Sequence, residues 1–343
     1  MSELPPSDMC ASAFRITGNE AFIGIQWGRV CGCLLGCVCA VASAVYVIRS
    51  KLYHTNLRIL IVNISLTTIG YCALLAYRSI IYLVTFYSHD DPCSYMISKN
   101  TCAIQMASAA ALYQACISSI LASAIERTFA TFWNNGYEHT KSCVLTLALA
   151  VLTWWQPLFT LVMIFAVNPD EHELIEYCSA QTIGKYSLRS FNYALFISIV
   201  ISIIIYGLLF WYNRKLAVIY HKSPRNLSQS YQLHENIHTT RSVLLSACIL
   251  TTLTLINFVL AGIGRHFFES TESFAIVKEL TNMSIPIFSI AHFIALIINK
   301  TLKFIKRGQT EENHRRLDNI HNYGQSNEYF AKLRKYWAEN AKK

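Results

Sequence analysis

Charge is scarce in this chain of 343 residues: Asp, Glu, Lys and Arg make up 14%, against about 25% in an ordinary soluble domain, while 53% of the residues are hydrophobic. Such a chain has too little charge to cover a large water-exposed surface, which excludes a typical soluble enzyme and points to lipid as the solvent. No Ser/His/Asp arrangement and no Gly-rich phosphate loop stands out, so neither catalysis nor a cofactor is expected. Nothing in the pattern calls for nucleic acid. There is no internal repeat of the kind that builds many transporters. Met1 to Glu20 lacks the basic region and apolar core of a cleavable signal peptide, so the first span is expected to act as its own insertion signal.

What the chain does have is apolar blocks of membrane-crossing length. They fall at about 26–48, 60–85, 102–127, 143–167, 191–211, 242–263 and 274–298, and each suits a helix crossing a hydrocarbon core of about 30 Å. The expectation is an all-α membrane protein: a seven-transmembrane helix bundle over 22–298, preceded by an amino-terminal segment, 1–21, and followed by a tail, 299–343. The tail opens with alternating basic and apolar residues from Asn299 to Arg307, suited to a short helix on the membrane surface. Beyond Gly308 it is polar and expected to be loosely ordered, with Phe330, Leu333 and Trp337 able to share a helical face.

The third block organises the rest. Ala103, Ala107, Ala111, Ala115, Ser119 and Ser123 recur every fourth residue, which lines small side chains along one ridge and places this helix in the middle of a bundle. It closes on Glu126-Arg127-Thr128, a charged pair at one membrane face. The first block carries a similar ridge, Gly28, Gly32, Gly36, Ala40 and Ala44, read as packing within one bundle ahead of a homo- or hetero-dimer contact. Arg78 lies in the outer half of the second block and is expected to snorkel to the interface, with a polar cavity as the alternative. Pro157 should kink the fourth span. Leu233, Ile237 and Leu244 are spaced to extend the sixth span as an amphipathic helix.

Basic residues choose the orientation. The links after spans one, three and five, with Arg127 counted in the third, hold 3, 2 and 5 Lys/Arg and the tail holds 11, which puts the amino terminus outside and the tail in the cytosol. Acids lean the other way, with 12 of 20 outside or in outer halves, a tint that attracts cationic solutes. Asn63 and Asn282 then lie in spans and Asn226 and Asn299 in the cytosol, so no ordinary N-glycan is expected. Of twelve cysteines, eight sit inside apolar blocks, where they act as small hydrophobes. Cys10, Cys93, Cys102 and Cys178 fall outside. Cys102 with Cys178 is the first choice for a disulfide, Cys93 with either of them is the rival, and Cys10 is a possible fourth partner. The paired Cys31/Cys33 and Cys37/Cys39 point different ways on a helix and do not make a metal site.

One catalytic pattern competes. His234-Glu235-Asn236-Ile237-His238 is a formal H-E-x-x-H, in which two His one helical turn apart bind zinc and the Glu activates water. It falls in a basic link with no evident third ligand, so no metal is expected there.

Seven spans, an acidic-Arg pair ending the third, and a cysteine 25 residues before that Arg together resemble the G-protein-coupled receptors. Closer marks are Glu126-Arg127-Thr128-Phe129-Ala130-Thr131 followed by Tyr137-Glu138, and the run Leu227 to Ile237 before the sixth span. Both look like the nematode serpentine chemoreceptors, best the alpha/beta class, over residues 10 to 307. The resemblance implies a chemosensory receptor in the plasma membrane of sensory neurons, binding an external small molecule and activating a heterotrimeric G protein. It makes Arg127 the switch, resting on Glu126 and Glu235 in the quiet state. Gln105, Tyr113, Gln114, Asn192, Tyr193, Glu279 and Asn282 are the polar or amphipathic groups of outer halves that would line a pocket; the alternative for each is an interhelical hydrogen bond or an interface anchor, and for Lys278 and Glu279 also a place facing water. The chain departs from many rhodopsin-like receptors in lacking Cys-Trp-X-Pro in span six and Asn-Pro-X-X-Tyr in span seven. His238 also stands where the chemoreceptor motif has a basic residue. The alternative from another class is a seven-helix channel or transporter.

Overall fold

The computed structural model describes residues 7–50, 53–89, 91–132, 144–167, 174–178, 187–222, 227–267 and 271–298. Within these, side chains at 160, 163–167, 187–195, 220–222, 227–235, 261–267 and 271 lie outside the description. The chain forms two compact units, Met1–Ala295 and Leu296–Lys343. The tail motifs and Tyr137-Glu138 fall outside the described residues.

A short helix, α1 (Ser7–Thr17), precedes the spans. They follow as α2 (Glu20–Arg49), α3 (Thr55–Ser88), α4 (Lys99–Phe132), α5 (Val144–Val167), α6 (Ser187–Lys222) and α7 (Leu227–Phe267). The last span is split into α8 (Thr271–Thr281) and a second helix, α9, over 284–298. Six of the seven spans are long and apolar enough to cross a membrane over their described residues, and α5 contributes the shorter apolar stretch Val144–Phe159. The fold is a seven-helix membrane bundle. α7 begins well before the apolar block, so the amphipathic link extends the sixth span as its Leu233/Ile237/Leu244 spacing predicts.

Why α4 sits at the centre is visible in its ridge. Ala103, Ala107, Ala111, Ala115, Ser119 and Ser123 are all buried, and α4 packs against α3, α5, α6 and α7. Small side chains let four neighbours approach one helix, which lipid-facing Leu or Ile would prevent. The outward faces carry the large apolar groups instead, among them Leu34, Val38, Trp155, Leu208 and Trp211.

The ridge of α2 is used only in part. A Cβ on Gly36 would lie 3.2 Å from Cys72 Sγ and 3.3 Å from the Cα of Pro286, whereas one on Gly28 would meet nothing within 4 Å. Gly36 therefore packs inside the bundle while Gly28 faces outward. Pro286 explains the tight approach. It has no N–H, so the carbonyl of Asn282 loses its helical partner, α8 and α9 separate there, and Tyr71 Oη donates to that oxygen at 3.4 Å.

One end of the bundle is closed covalently. Cys102 at the start of α4 is bonded to Cys178, and strands β1 (Ile97–Ser98) and β2 (Leu174–Ile175) pair antiparallel beside it. A second disulfide joins Cys10 on α1 to Cys93 in a single 3-10 turn, Pro92–Tyr95. Cys10 and Cys93 thus pair with each other, and the rival pairing of Cys93 with Cys102 or Cys178 does not occur. α1 buries Cys10, Ala13 and Ile16, and Ile16 meets Phe22, Tyr177 and Ala275. Residues 7–21 accordingly hold a docked helix and the Asn19 cap of α2, whose side chain accepts from the backbone N–H of Ala21 at 2.8 Å.

Gly36→Leu should destabilise the detergent-solubilised protein by about 1–3 kcal/mol, the usual cost of overpacking, and Gly28→Leu should leave its melting temperature essentially unchanged. Equal melting curves for the two variants would contradict this packing.

Candidate functional site

Two buried ion clusters lie at opposite ends of α4. The first, beside Cys178, centres on Glu279 of α8, which is fully buried. Its Oε1 accepts from Arg78 Nη2 at 2.7 Å and from Tyr177 Oη at 2.7 Å. Its Oε2 accepts from Arg29 Nη1 and, at 3.4 Å, from Asn282 Nδ2. Arg29 on α2 and Arg78 on α3 are 0% and 3% exposed, so three helices and the loop before α6 meet at one carboxylate. Arg78 also donates to the Cys178 carbonyl at 2.6 Å and lies over the Tyr82 ring, 5.4 Å from its centroid. Burial pushes the Tyr177 phenol above its ordinary range, which keeps its proton available to Glu279.

The second cluster is the pair at the far end of α4. Arg127 Nε and Nη2 donate to Glu126 Oε2 and Oε1, each at 2.6 Å, a bidentate fork. Adjacent helical residues diverge by about 100°, so the guanidinium folds back to reach its neighbour. Both side chains are buried. The remaining nitrogen, Nη1, reaches across to α7, where Asn236 Oδ1 accepts at 3.3 Å and Thr239 Oγ1 at 3.4 Å. α6 closes on the same region through Tyr206, whose hydroxyl donates to the Ile120 carbonyl at 3.3 Å.

Between the clusters, Asn63 ties three helices. Its Nδ2 donates to Ser119 and Thr153 at 2.8 and 3.0 Å, and its Oδ1 accepts from Trp154 Nε1 at 3.2 Å. Tyr113 bonds Thr254 on α7 at 2.7 Å, and His292 on α9 bonds Ser246 at 2.8 Å.

Several expectations change. Arg78 does not snorkel, because an ion pair and a carbonyl hold it inside. Glu279 does not face water, because two guanidiniums neutralise it. The expected pocket set is not one constellation: Glu279 and Asn282 join the ion cluster, while Tyr113 turns to α7. Tyr71 links the two groups, its ring tilted against that of Tyr113 with centroids 6.2 Å apart and its hydroxyl donating to the Asn282 carbonyl. Gln114 is buried and Gln105 half-buried on α4. Asn192 and Tyr193 lie on α6 and Glu235 on α7, with side chains outside the described residues, so the contact expected from Glu235 to Arg127 is not described. The His234 and Glu235 side chains of the H-E-x-x-H pattern fall there too, and no group of three metal-ligating side chains occurs among the described residues.

Sequence reasoning missed Arg29, Gln26 and Tyr177. The signal for Arg29 was present, since it is a cation inside an apolar block that also contains Gln26.

Residues 23–338 match the family described as serpentine type 7TM GPCR receptor class ab chemoreceptor. The chain belongs to this family. It is 25% identical over 312 residues to serpentine receptor class alpha/beta-14 of Caenorhabditis elegans, spanning 88% of this chain and 79% of that protein. It is 29% identical over 223 residues to the probable G-protein coupled receptor F27E5.8 of the same organism, spanning 61% and 57% respectively. A class ab chemoreceptor is thus a G-protein-coupled-type receptor and a multi-pass membrane protein, and membership in a receptor family fits a non-enzyme.

In this receptor Glu126→Gln and Arg127→Gln should each lower stability by about 3–5 kcal/mol, because either leaves an uncompensated buried charge. The double variant should cost clearly less than the sum. Additive losses in a thermal double-mutant cycle would show that the two groups do not depend on each other.

Proposed function

We propose that this chain is a chemosensory receptor of the plasma membrane of sensory neurons, which binds an external small molecule and activates a heterotrimeric G protein through the face carrying Glu126-Arg127. The orientation belongs to the same reading: the disulfide end outside, the tail 299–343 in the cytosol. The excess of Lys/Arg on the links at the Arg127 end supports it, as do two disulfides confined to the other end, since disulfides persist in oxidising surroundings.

The observation that carries the coupling role is the geometry of Arg127. Its charge is satisfied within α4 by Glu126, so the reach to Asn236 and Thr239 is a separate, weaker link to the sixth span. Breaking that link does not strand a charge. α7 can swing away from α4 while Arg127 remains neutralised, and the surface opened there is where a G protein would dock. A ligand drives the change only by its differential affinity for the two arrangements; taking a receptor from 1:99 to 99:1 requires about 5.5 kcal/mol.

Removing one of the long bonds should therefore favour the open arrangement without ligand. Each such bond is worth about 1 kcal/mol, so Thr239→Val should raise ligand-independent nucleotide exchange roughly fivefold at unchanged surface expression. Arg127→Lys keeps the charge but loses the fork, and should abolish exchange driven by whichever compound of a volatile and water-soluble panel activates the wild type. Unaltered exchange in both variants would remove Arg127 from coupling, and labelling of a carboxyl-terminal tag on intact cells would reverse the orientation.

A further inference from the structure

The Glu279 cluster is unbalanced. Arg29 and Arg78 bring two positive charges and Glu279 one negative charge, all buried. Glu279 has no capacity left, since an ionised carboxylate offers about four acceptor sites and Arg29, Arg78, Tyr177 and Asn282 already fill them. Among the described residues four donor nitrogens have no acceptor: Gln26 Nε2, Arg29 Nε, Arg29 Nη2 and Arg78 Nε. The carboxylates of two nearby elements are engaged elsewhere, Glu272 with Asn19 and Glu176 with Ser12 at 2.7 Å.

We propose that Arg29, Arg78 and Gln26 form the seat for the carboxylate of a small organic acid, the anionic end of the receptor's ligand. The unmatched pair on Arg29 sets the chemistry. Nε and Nη2 are the two parallel N–H groups on one edge of a guanidinium, the edge that takes a planar carboxylate side-on. The same edge of Arg127 holds Glu126 with both bonds at 2.6 Å, so this chain already uses that geometry once. An incoming carboxylate would satisfy both Arg29 donors and bring the cluster to zero net charge, which a neutral hydrogen-bonding group cannot do. It would do so beside Gln26, one turn before Arg29 on α2 and bonded to it through Oε1 at 3.2 Å.

Occupancy reaches the rest of the receptor by short steps. Glu279 also holds Asn282, whose carbonyl takes Tyr71 at the break between α8 and α9. Neutralising the second arginine relieves its demand on Glu279 and changes the pull on that break, which makes the seat suited to bias the seventh span. This inference rests on the receptor reading and adds the class of ligand.

The test uses the purified full chain in nanodiscs of neutral lipid at constant chloride. Sodium butyrate, hexanoate and benzoate are compared with butyramide, hexanamide and benzamide by thermal shift. At least one carboxylate should stabilise the protein saturably, while its amide does not. Arg29→Gln should abolish the shift. Glu279→Gln, which leaves both arginines unopposed, should lower the half-saturating concentration at least tenfold. No shift with any of the three acids, equal shifts with acid and amide, or a shift that survives Arg29→Gln overturns the proposal. Should Arg29→Gln fail to fold, the Glu279→Gln protein decides, and unchanged or weaker carboxylate binding there overturns it. Because the readout is binding to isolated receptor, absent G-protein exchange would count against the coupling reading alone, and absent binding against the carboxylate seat alone.

Discussion

A carboxylate that cannot reach water must be paired, and in this receptor Glu279 is paired twice. Lipid offers no compensation for a buried charge, so the first, second and seventh spans are bound to meet where Arg29, Arg78 and Glu279 meet. Their positions along each helix fix the vertical register of three spans at once. Apolar packing alone would tolerate sliding by a turn, because lipid-facing Leu and Ile have no preferred partner. Tyr177 and the Cys178 carbonyl extend the same constraint to the loop, so the disulfide to Cys102 and the ion cluster fasten one segment from two sides.

α4 supplies a different kind of constraint. Its ridge of Ala and Ser sets distance rather than register, letting α3, α5, α6 and α7 close around one axis. Polar side chains then add direction: Asn63 chooses Ser119 and Thr153, and Tyr113 chooses Thr254. The two charged ends are therefore built differently. The Glu279 cluster joins separate helices and cannot come apart cheaply, whereas the Glu126–Arg127 pair lies within α4 and reaches α7 through long bonds to Asn236 and Thr239. One end is tied by charges shared among three helices and the other by a pair within one helix, a difference matched to the proposed signalling direction.

The break between α8 and α9 sits among these constraints. Pro286 removes a helical N–H, Tyr71 repairs the orphaned carbonyl of Asn282, and Gly36 leaves room for the displaced backbone. Each residue comes from a different span, and each is ordinary by itself. Together they let an interrupted helix exist in the apolar interior without an exposed carbonyl.

The amino-acid sequence by itself determined the solvent, the number of crossings, the central place of α4 and the extension of the sixth span, because hydrophobic length and four-residue spacing are local properties of a chain. It also brought forward Cys102 with Cys178 and the Glu126-Arg127 pair, since both carry strong chemistry near a span end. What it could not give was who meets whom across the bundle. Arg78 read as a snorkelling cation and Glu279 as a water-facing acid because each, taken alone, has the neighbours of an interfacial residue. Only the tertiary structure brought Arg29 to within bonding distance of Glu279, 250 positions along the chain, and that pairing turned two costly charges into the joint of the fold while leaving one guanidinium edge without a partner. Charge compensation acts through space, and spacing along a chain does not record it.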